Sequence, residues 1–481
     1  MADLSVVRRL LKRFGYDAVE DKKRRQAPRT VHGSEDAILP GYKRTKLTAT
    51  SRDIQRNFTM ASWAVRKHLD YVSTFAFQSR SGYEEYDRQF EELMGWWSRA
   101  ENCDALGRHD LPRMVRLFEQ CRTTDGDVLV VRIRNGTLQA VESDRIANPA
   151  AGSMPKNISI DDLVQGVKLT KDGKPIGFCV NRRKRNYTGG YEFERIVSAR
   201  NAYLSGYFSR FDQVRGVSPL APAINVYQDL YEGLTYALCK LKVAQLFGLV
   251  TYRDASDALS DINSETDANG YNKYDIRFGQ GPFHLDLEDG DKAEILESKT
   301  PSEESQAFAQ IMIGLALKSL DIPQSFAQEN YSNYSGSRQA LLQYELSAES
   351  KRRDNIALLN WITTWKRAAW IKAGMLVPPA GVDYRRLKWE WIPRGIPWID
   401  PLKEVRAQVE AIKAGIISRQ LVCRTSGNDW FDIADQLSQE QEYMEQKNLV
   451  MGEPSTPTPD DEENEEERND SGSDEPDGRM R

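Results

Sequence analysis

Cysteine and histidine are scarce: 481 residues hold five Cys and four His. The cysteines (Cys103, Cys121, Cys179, Cys239, Cys423) are odd in number, widely spread and free of CxxC spacing. Neither a disulfide framework nor a zinc site is expected from that pattern. Long apolar runs are also missing. Val243–Val250 and Ile311–Leu317 are the most apolar stretches, and both fall far short of the roughly 20 residues that span a bilayer. No membrane partner is expected. The N-terminus is basic at Arg8, Arg9, Lys12 and Arg13, but no apolar signal core follows it.

Chemical signatures are equally thin. The chain has no GxxxxGK[ST] phosphate loop, no GxGxxG, no HExxH and no GxSxG. Ser153 and Lys156 form an SxxK without its usual partner motifs. Glu265, Asp267, Asn269 and Gly270 imitate the start of a calcium loop, but its twelfth position is Ile276, which cannot ligate. Asp161-Asp162 is an isolated pair suited to a helix start. No nucleophile, base and orienter assemble, so no catalytic residue, cofactor or metal is expected. Carboxylate sites leave faint traces, however. Asp254, Asp257 and Asp261 are spaced for one helical face and could hold Mg²⁺ in a nuclease, or could simply be a solvated face.

What is present is the material of a large core: 40% hydrophobic residues, ten Trp and twenty Tyr. That length suits roughly two to four domains. Charge is uneven. Residues 1–70 carry sixteen bases against eight acids, and residues 453–481 carry twelve acids against three bases. A basic head could meet nucleic acid, with the body a mere scaffold, while an acidic tail repels it.

Residues 1–50 lack a sustained apolar period and read as a mobile arm. From Asp53 to Phe77 a helical stripe runs through Ile54, Phe58, Ala61, Val65, Leu69 and Val72. Helices follow at 84–98 and 110–122, the second opened by Asp110 and Pro112. Asp127–Arg134 and Thr137–Glu142 flank Asn135-Gly136, a strong hairpin signal. The spacing predicts a long helix over 218–247 whose seam is Leu220, Ile224, Tyr227, Tyr231, Leu234, Leu238 and Leu241. Residues 248–300 turn acidic and loop-like, with short strands near 274–278, 283–287 and 292–297 and a turn at Asp289-Gly290. A helix over 302–320 carries Phe308, Ile311, Met312, Leu315 and Leu320 as its apolar stripe. Pro323 ends it, and 321–336 reads as a loop. Ser337–Ala373 contains no Pro or Gly, which predicts a helix of roughly 55 Å stopped by Gly374. Helices near 401–414 and 418–447 precede a low-complexity acidic tail.

The ordered set Arg52-Asp53 with Arg56-Asn57, Asp104 with Gly107, Asp125-Gly126-Asp127, Arg210–Leu220, Asp289-Gly290-Asp291, Ile322-Pro323 and Asn333–Arg338 resembles the lambda-type portal proteins of tailed bacteriophages. The likeness covers about residues 45–420, with Gly336 standing where the family often has a second Ser. It implies a helix-rich α+β portal fold: a basic flexible arm (1–44), an α+β wing (45–217), stem helix one (218–246), an α/β clip (247–301) and stem helix two (302–320). A tunnel loop (321–336), a long kinked helix with a connector (337–399), a helical crown (400–452) and a disordered acidic tail (453–481) complete it. The resemblance further implies a dodecameric ring at one capsid vertex, present in the virion and in host cytoplasm during assembly. Double-stranded DNA would pass through its channel during packaging and ejection. Its partners would be the terminase large subunit, a head-completion adaptor and the capsid and scaffold proteins. The tunnel loop would offer Gln324, Gln328, Asn330, Tyr331, Asn333 and Tyr334 to DNA. Residues 321–336 contain no Lys or Arg, and fixed cations would grip passing phosphates. Lys318, Lys240 and Lys242 either line the channel or pair with helix C-termini.

Overall fold

A computed structural model describes residues 34–149, 163–184, 190–246, 249–253, 291–295, 303–328, 334–395 and 401–447. The chain divides into one unit up to Pro393 and a second from Arg394.

The first unit opens with α1 (Glu35–Ile38) and α2 (Gly41–Asn57). Residues 34–50 are therefore not part of a free arm. Ser34 caps α1, accepting from the Ala37 amide, and Pro40 precedes α2 at a φ of −64° suited to helix entry. The buried face of α2 is Arg44, Thr48, Ser51 and Ile54, mostly polar, which is why no apolar period betrayed it. A second correction follows. The single helix expected over 53–77 is broken at Phe58, which is extended, and resumes as α3 (Thr59–Val72). Phe75–Arg80 is strand β1, paired antiparallel with the far-off strand at Lys388–Pro393.

Helices α4 (Glu84–Trp97) and α5 (Ala100–Cys103) lead to α6 (Leu111–Asp125), where Asp110 accepts from the Arg113 amide at 2.9 Å as expected. The hairpin forms as β2 (Asp127–Arg132) and β3 (Leu138–Glu142), with Gly136 at φ +93° in its turn. Trp97 Nε1 donates to the Gly136 carbonyl at 3.0 Å, which fastens the turn to α4. Strands β4 (Leu163–Val164), β5 (Val167–Leu169), β6 (Pro175–Arg183) and β7 (Tyr191–Ser198) form an antiparallel sheet, and β8 (Ala202–Gly206) pairs with the other edge of β2. Strand β2 sits between two cores. Val128 and Val130 pack with Phe90, Trp97, Phe118 and Trp370, while Leu129 and Val131 pack with Val141, Phe178 and Val180. A strand buried on both faces reads as a near-continuous apolar run, and DVLVV is one.

A 3₁₀ turn at Ala221–Ala223 absorbs Pro222 and opens α7 (Ile224–Leu246). Strands β9 (Leu249–Arg253) and β10 (Asp291–Ile295) pair antiparallel. The strands expected near 274–278 and 283–287 and the Asp289-Gly290 turn lie outside the described residues. Helix α8 (Glu303–Leu317) ends in a 3₁₀ turn at Lys318–Leu320. Segment 321–336 is not all loop. Gln324–Gln328 form α9, and the long helix α10 (Tyr334–Lys372) starts three residues earlier than predicted. Gly374 stops it, and β11 (Lys388–Pro393) closes the unit against β1.

The second unit contains α11 (Pro401–Lys413), α12 (Arg419–Thr425) and α13 (Trp430–Lys447). The helix expected over 418–447 is thus two, separated at Ser426–Asp429. Leu402, Val405 and Val409 on α11 are exposed along one stripe.

Candidate functional site: the paired helices α7 and α8 and their anchors

Helices α7 and α8 pack against each other. Their shared end is anchored by Ala223, Ile224, Tyr227 and Ala316 in one cluster and by Leu220, Leu317, Leu320, Ile322 and Tyr344 in another. The expected seam on α7 is therefore real but split. Leu220, Ile224 and Tyr227 are buried within the chain, whereas Tyr231, Leu234 and Leu238 are 54%, 55% and 50% exposed. Leu241 is half-buried. The stripe expected on α8 and the turn after it divides likewise. Phe308, Ile311 and Leu315 are 63%, 59% and 51% exposed, Met312 is half-buried, and Leu320 is buried together with Ala316 and Leu317. Periodicity marked the stripe correctly, but a period shows that a face is apolar without showing which partner covers it.

Beside α7 the break between α2 and α3 creates a groove of 710 Å³. Phe58 stands out of the helical path there, its ring 4.7 Å from that of Tyr231. Met60, Trp63, Leu230, Leu234, Leu238 and Ile313 line the rest, with Arg66 at its margin. The helical stripe expected over 53–77 includes Phe58 but gives no sign of the groove.

The elbow after α8 is pinned rather than loose. Asp321 takes a left-handed φ of +62° and accepts from Ser347 Oγ at 2.6 Å and Lys351 Nζ at 2.9 Å. Burial alone would raise its pKa, but those two donors on α10 outweigh it and hold the carboxyl below its usual value. Lys351 also donates to the Leu320 carbonyl at 3.0 Å. Ile322 is buried, and Phe326 packs on Tyr71 and Tyr344. Of the residues expected to face DNA, Gln324 donates to the Gln310 carbonyl at 2.9 Å and Gln328 to the Gln310 side chain at 3.3 Å. Tyr334 begins α10. Asn330, Tyr331 and Asn333 lie outside the described residues. Lys240, Lys242 and Lys318 are all exposed, the first two on α7 and the third in the turn after α8.

Two buried polar knots hold the anchor region. In one, Arg215 is fully buried and bidentate on Asp127, at 2.7 Å and 2.8 Å, and also reaches Ser143 and the Ile146 carbonyl. The Gly216 amide donates to the same carboxylate at 2.9 Å. Here Gly126, at φ +100°, passes so close to Gly216 that a Cβ would fall 2.5 Å from the Gly216 oxygen. Only glycine fits such an approach. The sequence pieces Asp125-Gly126-Asp127 and Arg215-Gly216 are thus halves of one structural lock just before α7. In the other knot, Glu119 accepts from Tyr207 at 2.6 Å, Arg122 at 2.8 Å and Asn355 at 2.9 Å, with His68 Nε2 at 3.0 Å. Burial would raise the Glu119 pKa, but Arg122 and His68 bring it down to about 2. Burial is also the main cause lowering His68, whose Nδ1 finds no partner among the described residues. Nothing in the sequence pattern announced this second knot, because its members are up to 287 positions apart and each looks ordinary alone.

Asp125, Glu142 and Asp144 converge closely enough to suggest a cation site. Their oxygens are already engaged: Arg52 bonds all three, and Arg183 and Tyr191 bind Asp144. The cluster is an ion-pair knot. Asp254, Asp257 and Asp261, Ser153 and Lys156, and the Glu265–Gly270 stretch lie outside the described residues.

A family model described as "Phage portal protein, lambda family" matches residues 21–352. A probable portal protein of Halomonas phage phiHAP-1 is 24% identical over 405 residues, covering 75% of this chain and 71% of that protein. The portal protein of Escherichia phage N15 is 22% identical over 479 residues, covering 88% of each. Among solved structures, a chain in the neck of an empty gene transfer agent particle, computed with C6 symmetry, gives a TM-score of 0.48 at 14% identity. It covers 79% of this chain and 93% of its own. A chain in the virion of a native gene transfer agent particle gives 0.47 at 13%, covering 81% and 99%.

Proposed function

The chain belongs to the lambda family of phage portal proteins, and from that premise we propose that it assembles into a closed ring at one capsid vertex and serves as the conduit for DNA. The ring has twelve copies in this reading, about as many as the resemblance implies. The stem hairpin surrounds the channel. The tunnel loop (321–336) is the polar element facing DNA, and the pinned turn at Asp321 supports it at its start. The clip (247–301) meets the terminase large subunit and later a head-completion adaptor, and the second unit forms the crown. Major capsid and scaffold proteins are its further partners. The protein guides DNA and does no catalysis, its energy coming from a separate motor.

The observation that carries this reading is the outer half of the hairpin. Tyr231, Leu234, Leu238, Phe308, Ile311 and Leu315 are at least half exposed on two packed helices. Fully burying one such side chain is worth about 1.5–3 kcal/mol, and an apolar helical surface of this extent marks an association face. Native mass spectrometry with negative-stain imaging of the purified protein tests the reading. Rings of about twelve monomer masses are expected; a monomer at micromolar concentration in both low and high salt would overturn it.

A further inference from the structure

The two exposed faces of the hairpin differ in position and in shape. At about 100° per residue, Phe308, Ile311 and Leu315 share an arc of about 60°, and Ile313 lies about 170° from its centre. Ile313 lines the groove beside α7. The ridge on α8 and the groove therefore look in opposite directions. An isologous pair would cover only one of them. A cyclic ring joins two unlike surfaces at every contact, so one interface, repeated, covers both.

Level and charge agree with that pairing. Ala316 clusters with Ala223 and Ile224, and Ile313 shares the groove with Tyr227. Counting from these contacts along antiparallel helices, Phe308 lies level with about residue 232. For rotation about an axis running along the hairpin, neighbouring copies meet at equal height, so Phe308 arrives between Tyr231 and Leu234 of the next copy. Glu304 continues the ridge on the same arc and is exposed, as part of the acidic first turn of α8. The groove side is basic instead: Arg66 lines it, and exposed Lys242 continues the same face of α7 toward its end. We propose that the ring closes head to tail by seating the Phe308–Ile311–Leu315 ridge of one copy in the Phe58–Tyr231–Leu234–Leu238 groove of the next, with Glu304 turned toward the groove's basic margin. This deepens the ring reading and rests on it.

The experiment uses full-length chain in three forms: wild type, a ridge variant (Phe308→Asp with Ile311→Asp) and a groove variant (Leu234→Asp with Leu238→Asp). All four positions are exposed in the chain, so far-ultraviolet circular dichroism is expected to match the wild type, and thermal melting to match that of wild type dissociated from its rings. Each variant alone is expected to lose the ring. Mixed together, they retain one intact ridge and one intact groove, and a one-to-one heterodimer is expected with nothing larger. A second measurement stands beside it: Phe308→Cys with Leu234→Cys in a Cys239→Ser background, oxidised, should yield a ladder of cross-linked copies. Rings from either variant, or absence of both heterodimer and ladder while the wild type still forms rings, overturns the pairing and leaves the ring reading intact. A wild type that forms no ring overturns the ring reading itself.

Discussion

The anchor region and the outer stem are made from similar amounts of apolar sequence, yet they close differently. Around Asp127 and Glu119 the buried carboxylates find their donors inside the chain: Arg215 bonds the first, and Arg122, Asn355 and Tyr207 the second. Beyond Tyr227 the seam opens, and leucines and aromatics at helical spacing meet solvent. The first region closes within the chain; the second, in the proposed ring, is half of an interface. Rigid anchoring of α7 and α10 lets the exposed halves be held at fixed height, and a ring of identical copies needs that.

The contrast can be broken most severely at the first region. Arg215→Ala removes one partner of a fully buried pair and leaves Asp127 stranded, at an expected cost of about 3–5 kcal/mol. Urea unfolding should show the loss, with ring formation failing because folding fails. Leu234→Asp should do the reverse. Since Leu234 is 55% exposed in the chain, the ring should be lost, by native mass, while the melting temperature stays that of the dissociated wild-type chain. Equal loss of stability in both variants would erase the distinction between the regions.

A subtler effect concerns pH. Burial holds the pKa of His68 below its ordinary value in the folded chain, while in the unfolded chain it protonates near about 6.5. Below that point the unfolded state binds more protons, so stability contributed by His68 is present above about pH 6.5 and falls as the pH drops. Glu119 adds a second loss further down, beginning near its unfolded value of about 4.3 and running toward about 2. Denaturant melts of His68→Gln should show a flatter stability profile between about pH 6.5 and 5 than the wild type. The smallest effect expected is at the interface margin. Glu304→Lys should weaken each contact by about 0.2–1 kcal/mol, as exposed ion pairs do, and analytical ultracentrifugation at low salt should show it as a rise in the dissociating fraction.

Much of the fold was legible in order along the chain. The Asn135-Gly136 hairpin, the Asp110 cap and the long helices followed from turn chemistry and period. The α2 helix was hidden because its buried face is largely polar, Arg44, Thr48 and Ser51, with Arg44 held by the distant Gln165. The break at Phe58 was hidden because apolar residues continue in phase across it. The site was legible in part. Spacing identified the seam on α7 and the stripe on α8, but the direction of each depends on tertiary packing. The anchors at Asp127 and Arg215 stood in the motifs that suggested the family, and their role as a lock emerges only when the two halves meet. Gln324 and Gln328 looked like free polar groups, and both carboxamides turn out to bind Gln310.

The covering of the outer stem by a second copy can be measured at a single side chain. In Leu234→Cys on a Cys239→Ser background, a maleimide reagent should leave the thiol unreacted in intact rings and label it freely once the rings are dissociated. Rapid, complete labelling within intact rings would contradict the account.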